Sequence, residues 1–236
     1  MKFISILFSS LFLLTLSSFI QEHKNTSNLL PLIKAYLNNA EKDFSSIPKD
    51  RKVELQKIAD YVSNGIKTDK NVNLIFICTH NSRRSQMGQL WAYAAAEYYG
   101  IKGINCYSGG IEVTAFNERA VKALRNAGFA IIQKTTVTNP EYVVQFAKNA
   151  PLITCFSKKF SDSTNPATMF AAIMTCSQAD KNCPFVRGAT SRIAIHYEDP
   201  KASDGSPEES LVYQQRCKQI ATEMLYAFSL VKIRKN

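Results

Sequence analysis

Apolar and polar positions along the chain divide it into three parts. The first is an uncharged, strongly apolar run from Phe3 to Ile20, preceded by Lys2 and followed by Gln21, Glu22, His23 and Lys24. It shows no polar face, which argues against a buried amphipathic helix. A short charged start, an apolar centre and small residues (Ser17, Ser18) near the end form the pattern of a secretory signal peptide. There is no clean small-x-small cleavage site, and about 18 apolar residues can just span a bilayer, so an uncleaved membrane anchor is the alternative. Either way, residues 1–20 are expected to contact the membrane or the export machinery. The rest of the chain is expected to be exported, to the periplasm, or else held by the anchor with its domain in the cytoplasm.

The second part, residues 21–70, reads as a helical extension. Residues 22–47 are polar apart from one helix-like apolar stretch, Leu29 to Leu37. Pro48 then opens a segment in which Val53, Leu55, Ile58, Ala59 and Val62 follow a 3.6-residue period, closed by Gly65. Both segments are expected to pack beside the main unit.

That unit, residues 71–236, alternates strand and helix patterns. Val72 to Ile77 is short, apolar and β-branched, as in a buried strand, and Ile104–Tyr107, Ile153–Phe156, Ala172–Thr175 and Ile193–His196 read as further strands. Helices are expected from about Ser85 to Tyr99 before Gly100, from an Asn117 cap through Ala127 before Gly128, and over Pro207–Val231. This alternation predicts an α/β fold with a central parallel sheet of about four strands flanked by helices. Residues 140–170 break the pattern with two extended stretches and little helix between them. They read as an irregular or hairpin insertion.

Composition narrows the picture little. The 236 residues are 45% hydrophobic and 20% charged, enough for one domain with a sizeable core, and there is no fixed-period repeat. Net charge is +10. That suits nucleic acid, anionic lipid or a small oxyanion, or is a solvated basic face. No aromatic-interleaved basic motif or zinc finger is present, so no nucleic-acid partner is expected. Six cysteines in a chain of this size are not needed as staples.

The candidate chemistry lies in the loop after the first buried strand: Cys78-Thr79-His80-Asn81-Ser82-Arg83-Arg84-Ser85. Anion binding calls for clustered backbone N–H donors, a helix N-terminus and a cation. A cysteine at the first loop position lies under such a donor cluster, and the field that holds an anion also favours a thiolate. Arg84, six residues on, offers a planar bidentate fork that lysine lacks. Ser85, at the helix start, can donate to the Cys78 sulfur. The Cys-x5-Arg spacing is weak alone and much stronger in a strand–loop–helix context.

This loop, with Gln86-Met87 after it, Tyr107-Ser108-Gly109-Gly110-Ile111-Glu112 and Asn117-Glu118-Arg119-Ala120-Val121, resembles the low-molecular-weight tyrosine phosphatase superfamily, which includes the thioredoxin-coupled arsenate reductases. The resemblance covers about residues 72–230, interrupted at 140–170. It implies that fold, a small oxyanion or phosphorylated substrate, Cys78 as nucleophile, Arg84 as oxyanion clamp, Asn81 as a brace for the loop and Ser85 as support for the thiolate. Two positions depart from the pattern. His80 stands where the family usually has Gly, which in a loop often serves positive φ. Arg83 stands where Cys is frequent, and either adds charge at the substrate mouth or faces solvent. The family's late Asp-Pro pair is matched by Asp199-Pro200, with Asp199 as general acid and Glu198 as local competitor.

Cys176-Ser177-Gln178-Ala179-Asp180-Lys181-Asn182-Cys183-Pro184 resembles the segment holding the second and third redox cysteines of those reductases. Lys201-Ala202-Ser203 after Asp-Pro lacks the aromatic residue that stacks on phosphotyrosine in the phosphatases. The resemblance therefore implies arsenate reduction through Cys78, Cys176 and Cys183, with a thioredoxin-like external reductant and no tightly bound cofactor. Aryl-phosphate hydrolysis through Cys78, Arg84 and Asp199 is the alternative. An inactive oxyanion-binding or redox-sensing module is a second one. Ser108 and Asn81 match positions that help hold potassium in some reductases, but Gln89 replaces their Glu, which weakens the case for such an ion.

Overall fold

The computed structural model describes residues 27–68 and 71–233. The apolar run of residues 3–20, with its signal-or-anchor reading, lies outside them. No helix among the described residues is long and apolar enough to cross a membrane.

The centre is a parallel sheet of β1 (Val72–Cys78), β2 (Ile104–Gly110), β6 (Phe170–Met174) and β7 (Ala189–Ala194), in the order β2-β1-β6-β7. β1 is buried on both faces, which is why it reads as a continuous apolar run. Leu74 and Phe76 join the large core formed with the helices, while Ile75 and Ile77 join Phe170, Ala172, Met174, Ala179 and Val186 in a second cluster. The register pairs Cys78 with Gly110 and Ile77 with Met174, so three strands end together at the crevice where sheets of this kind bind ligands.

α3 (Arg84–Tyr98) follows β1, and α6 (Glu209–Ser229) packs along it. α4 (Glu118–Asn126) starts at Asn117, whose side chain accepts from the Arg119 amide, and ends before Gly128 at φ +107°. These elements match the expected positions to within a residue or two. β6 and β7 are displaced, each starting earlier in sequence than expected.

Two features depart from the sequence reading. The extension, α1 (Pro31–Glu41) and α2 (Lys49–Lys67), does not merely sit beside the main unit. Ile33, Leu37, Leu55, Ile58 and Val62 belong to the same core as Trp91, Met224 and Phe228, and Tyr36 stacks on Trp91 at 5.1 Å. Val53, expected on the buried stripe, is 61% exposed. It lies two residues from Leu55, about 200° around the helix, so both cannot face the core. Within residues 140–170 the hairpin reading holds: β4 (Tyr142–Gln145) and β5 (Ile153–Cys155) pair antiparallel, and β3 (Ala130–Gln133) joins the other edge of β4 to complete a second sheet.

Candidate active site

The loop between β1 and α3 is shaped by backbone approach and by its own side chains. The Ile111 and Glu112 amides both donate to the Thr79 carbonyl at 2.9 Å, drawing the end of β2 against the loop. Gly110 makes this possible, because a Cβ there would meet Glu112 O, Asn81 N and Thr79 O at 2.6 to 2.8 Å. Among the described residues, no backbone carbonyl accepts from the amides of residues 79–83. Those donors and the α3 N-terminus are the features that binding an anion at this loop calls for.

Cys78 Sγ lies 3.1 Å from Ser85 Oγ, and both residues are buried. Asn81 Nδ2 donates to the same hydroxyl at 2.9 Å, so the serine is oriented from one side and faces the sulfur on the other. Asn81 Oδ1 accepts from Gln86 Nε2 at 3.2 Å and from the Lys158 amide at 3.0 Å. Asn81, not His80, is the loop residue at positive φ, 47°. An asparagine tolerates that conformation, and its side chain is tied down here, so His80 meets no conformational penalty of this kind. The His80 ring lies 3.2 Å from the Glu112 carboxylate. Its carbonyl accepts from Ser157 Oγ at 2.8 Å, while Ser82 Oγ donates to the Ala115 carbonyl at 2.7 Å.

Arg83 borders the cavity beside the loop and does not face solvent. Its Nε donates to Tyr213 Oη at 2.7 Å and a terminal nitrogen meets Asp204 at 3.3 Å, with the side chain 11% exposed. Tyr213 donates onward to Asp204 at 2.7 Å, and burial first, then that hydrogen bond, pushes its hydroxyl up to about 12. Arg83 therefore anchors the loop to α6.

Arg84 meets the expected acid. One terminal nitrogen lies 2.6 Å from Asp199 Oδ2 and the other donates to the Tyr197 carbonyl at 3.0 Å. Its buried Nε has no protein partner. Asp199 caps the short 3-10 turn Pro200–Ser203 by accepting from the Lys201 amide at 3.1 Å, while Glu198 is exposed. The geometry thus brings Asp199, not Glu198, to the clamp.

The second thiol adjoins the first loop position. Cys176 is buried, and its Sγ lies 3.5 Å from Thr79 Oγ1 and accepts from the Ala179 amide at 3.4 Å. It caps the start of α5 (Ser177–Asn182), a helix for which the sequence gives no periodic signal, and Cys183 follows its last turn. All six cysteines are free thiols. Burial pushes Cys155 and Cys217 up to about 12 and Cys106 higher still. Gln89 Oε1 and Ser108 Oγ are buried without partners, but Asn81 Oδ1 is already committed.

Sequence reasoning missed Gln86, Ser157 and Lys158 as loop supports. Ser157 and Lys158 lie some 77 residues beyond the loop, in the region read as an insertion, and no local motif marks them. A cavity of about 550 Å³ opens beside the loop, bordered by His80, Ser82, Arg83, Phe116, Val137 and Lys201.

Comparison with known proteins adds an independent line. The family described as low molecular weight phosphotyrosine protein phosphatase matches residues 73–162. The arsenate reductase of Bacillus licheniformis is 30% identical over 157 residues, covering 66% of this chain and 94% of that protein. The arsenate reductase of Bacillus subtilis is 29% identical over 160 residues, covering 68% and 96%. A solution structure of a low molecular weight protein tyrosine phosphatase from Bacillus subtilis aligns at 15% identity and a TM-score of 0.46, covering 67% of this chain and 96% of that one.

Proposed function

Since this chain belongs to the low molecular weight phosphotyrosine protein phosphatase family, we propose that it works as an arsenate reductase with a three-cysteine relay. Its relatives are arsenate reductases and phosphatases, and the chain is an enzyme of one of these two kinds. The observation that carries the choice is the placement of Cys176, buried within 3.5 Å of the side chain of Thr79, the residue after Cys78.

In this reading, arsenate enters the ring of loop amides and Arg84 turns from Asp199 to clamp it. Cys78 thiolate attacks arsenic, forming a sulfur–arsenic bond while an arsenic oxygen leaves as water with a proton supplied by Asp199. Cys176 thiolate then attacks the Cys78 sulfur. The sulfur–sulfur bond forms, the sulfur–arsenic bond breaks, and its electron pair stays with arsenic, which leaves as arsenite. Cys183 thiolate attacks the Cys176 sulfur next and releases Cys78 as thiolate. The resulting Cys176–Cys183 disulfide is reduced by a thioredoxin-like dithiol protein. An exported enzyme needs such a donor in its own compartment.

A second reading, hydrolysis of aryl phosphates through a Cys78 phosphoenzyme, is favoured by the cavity beside the loop, which has room for more than a bare oxyanion. Asp199 is the leaving-group acid in that case too. One comparison decides between them: arsenate-dependent consumption of reduced thioredoxin beside hydrolysis of p-nitrophenyl phosphate, each with the protein and with Cys176→Ser. The relay predicts arsenate reduction lost by at least about a hundredfold in the variant, with hydrolysis held within about threefold. Hydrolysis with no arsenate turnover by the unaltered protein makes the second reading the right one.

A further inference from the structure

We propose that Arg51, on the N-terminal extension, is a positioning residue for the acid loop, so that the extension forms part of the catalytic apparatus. This rests on Asp199 being the proton donor in the reading above. Arg51 lies in α2, outside the residues matched by the family, yet its guanidinium reaches the segment that ends in Asp199.

Three contacts establish this. A terminal nitrogen of Arg51 donates to the His196 carbonyl at 2.9 Å. The guanidinium carbon lies 4.8 Å from the centroid of the Tyr197 ring, within cation–π range. The Arg51–Glu223 ion pair, at 2.7 Å with side chains only 16% and 5% exposed, holds the guanidinium from α6. Arg51 thereby fixes the backbone at 196 and the side chain at 197. Arg84 holds the next links, the Tyr197 carbonyl at 3.0 Å and the Asp199 carboxylate at 2.6 Å.

These contacts imply a division of labour. When Arg84 turns to an oxyanion, the acid loop loses both of its Arg84 bonds. Arg51 is then the cation that still holds residues 196 and 197, keeping Asp199 within reach of the leaving oxygen. A lysine cannot serve a carboxylate, a carbonyl and a ring face together as a planar fork does. A purely structural Arg51 would need only the Glu223 contact, which already ties α2 to α6. The bonds to residues 196 and 197 are the additional ones.

The test uses the full chain and takes Glu223→Gln as reference, so that no buried carboxylate loses its cation when Arg51 is removed. Aryl phosphates spanning a range of leaving-group acidity are the substrates. Adding Arg51→Ala is expected to lower kcat about tenfold for poor leaving groups and less than about twofold for good ones, because only the poor ones depend on a placed acid. In an Asp199→Asn background Arg51→Ala should add no further loss. Arg51→Lys should recover only part of the rate.

Amide hydrogen exchange supplies a readout independent of turnover: residues 196–201 should exchange at least about tenfold faster in the Arg51→Ala, Glu223→Gln protein than in the reference, with the middle of α6 unchanged. Equal losses for all leaving groups, an undiminished loss in the Asp199→Asn background, or unchanged exchange at 196–201 overturns the proposal. Absence of all turnover in the unaltered protein instead counts against the enzymatic reading, and the exchange arm still decides the role of Arg51.

Discussion

At the residue scale, the six thiols sort by environment. Cys78, Cys176 and Cys183 lie at the loop or flank the short helix beside it, in or against the smaller apolar cluster, while Cys106, Cys155 and Cys217 are buried in the large core. Spacing and the strand–loop–helix context made Cys78 and Ser85 legible, while Cys176, Cys183 and Asn81 were legible only through the family resemblance. The partners of Arg83 were not legible, since Tyr213 and Asp204 lie 130 and 121 residues away and only the fold brings them in. The enclosed thiols make stability sensitive to alkaline pH. Burial raises Cys155 from 9.0 to about 12. Its contribution is therefore fully present below pH 9 and is lost as pH rises through 12, because the unfolded chain releases this proton first. Between pH 8 and 10.5, urea unfolding of the unaltered protein should lose on the order of 2 kcal/mol more than that of Cys155→Ala. Identical pH dependence for the two would show that this thiol titrates normally in the fold.

At the element scale, α5 is the part of the proposed relay that has to move. Its six residues separate Cys176 from Cys183, and seven helical steps of 1.5 Å put the two Cα atoms about 10 Å apart. A disulfide needs them within about 7 Å, so the helix must at least partly unwind. Arg192 opposes unwinding. It donates to the Cys183 carbonyl at 3.2 Å and to the Asp180 carbonyl, and pairs with the Asp180 carboxylate, which also lies 3.1 Å from His196. Arg192→Ala should therefore speed formation of the Cys176–Cys183 disulfide several-fold under a fixed oxidant, followed by mass mapping of alkylated thiols. An unchanged rate would mean that the helix opens without releasing this arginine. α5 escaped the sequence reading because six residues are too few to show a helical period, and β3 because it buries only Ile131. The long elements β1, α3 and α6 were legible because burial repeats along each of them.

At the scale of the whole molecule, the extension and the sheet share one core, and this was the least legible feature of all. The hydrophobic period of α2 identifies a helix but does not say what its buried face meets. Leu29, Ile33, Leu37, Ile47, Leu55, Ile58 and Val62 are each under a tenth exposed, and Trp91, Ile220 and Met224 belong to the same cluster. At about 2 kcal/mol for each large side chain, these seven carry about 14 kcal/mol of burial, as large as the whole stability margin of an ordinary domain. A chain beginning at residue 71 would also leave the facing side of α6 wet and Glu223 without Arg51. It should show no cooperative thermal transition by circular dichroism, although it contains every cysteine and all of the anion-binding loop. A sharp transition within a few degrees of the full chain would demonstrate that the family-like part folds alone and that the extension is an attachment. Because the acid loop leans on Arg51, even that outcome would leave one definite consequence: a folded chain from residue 71 should bind inorganic phosphate as the full chain does, yet hydrolyse substrates with poor leaving groups more slowly.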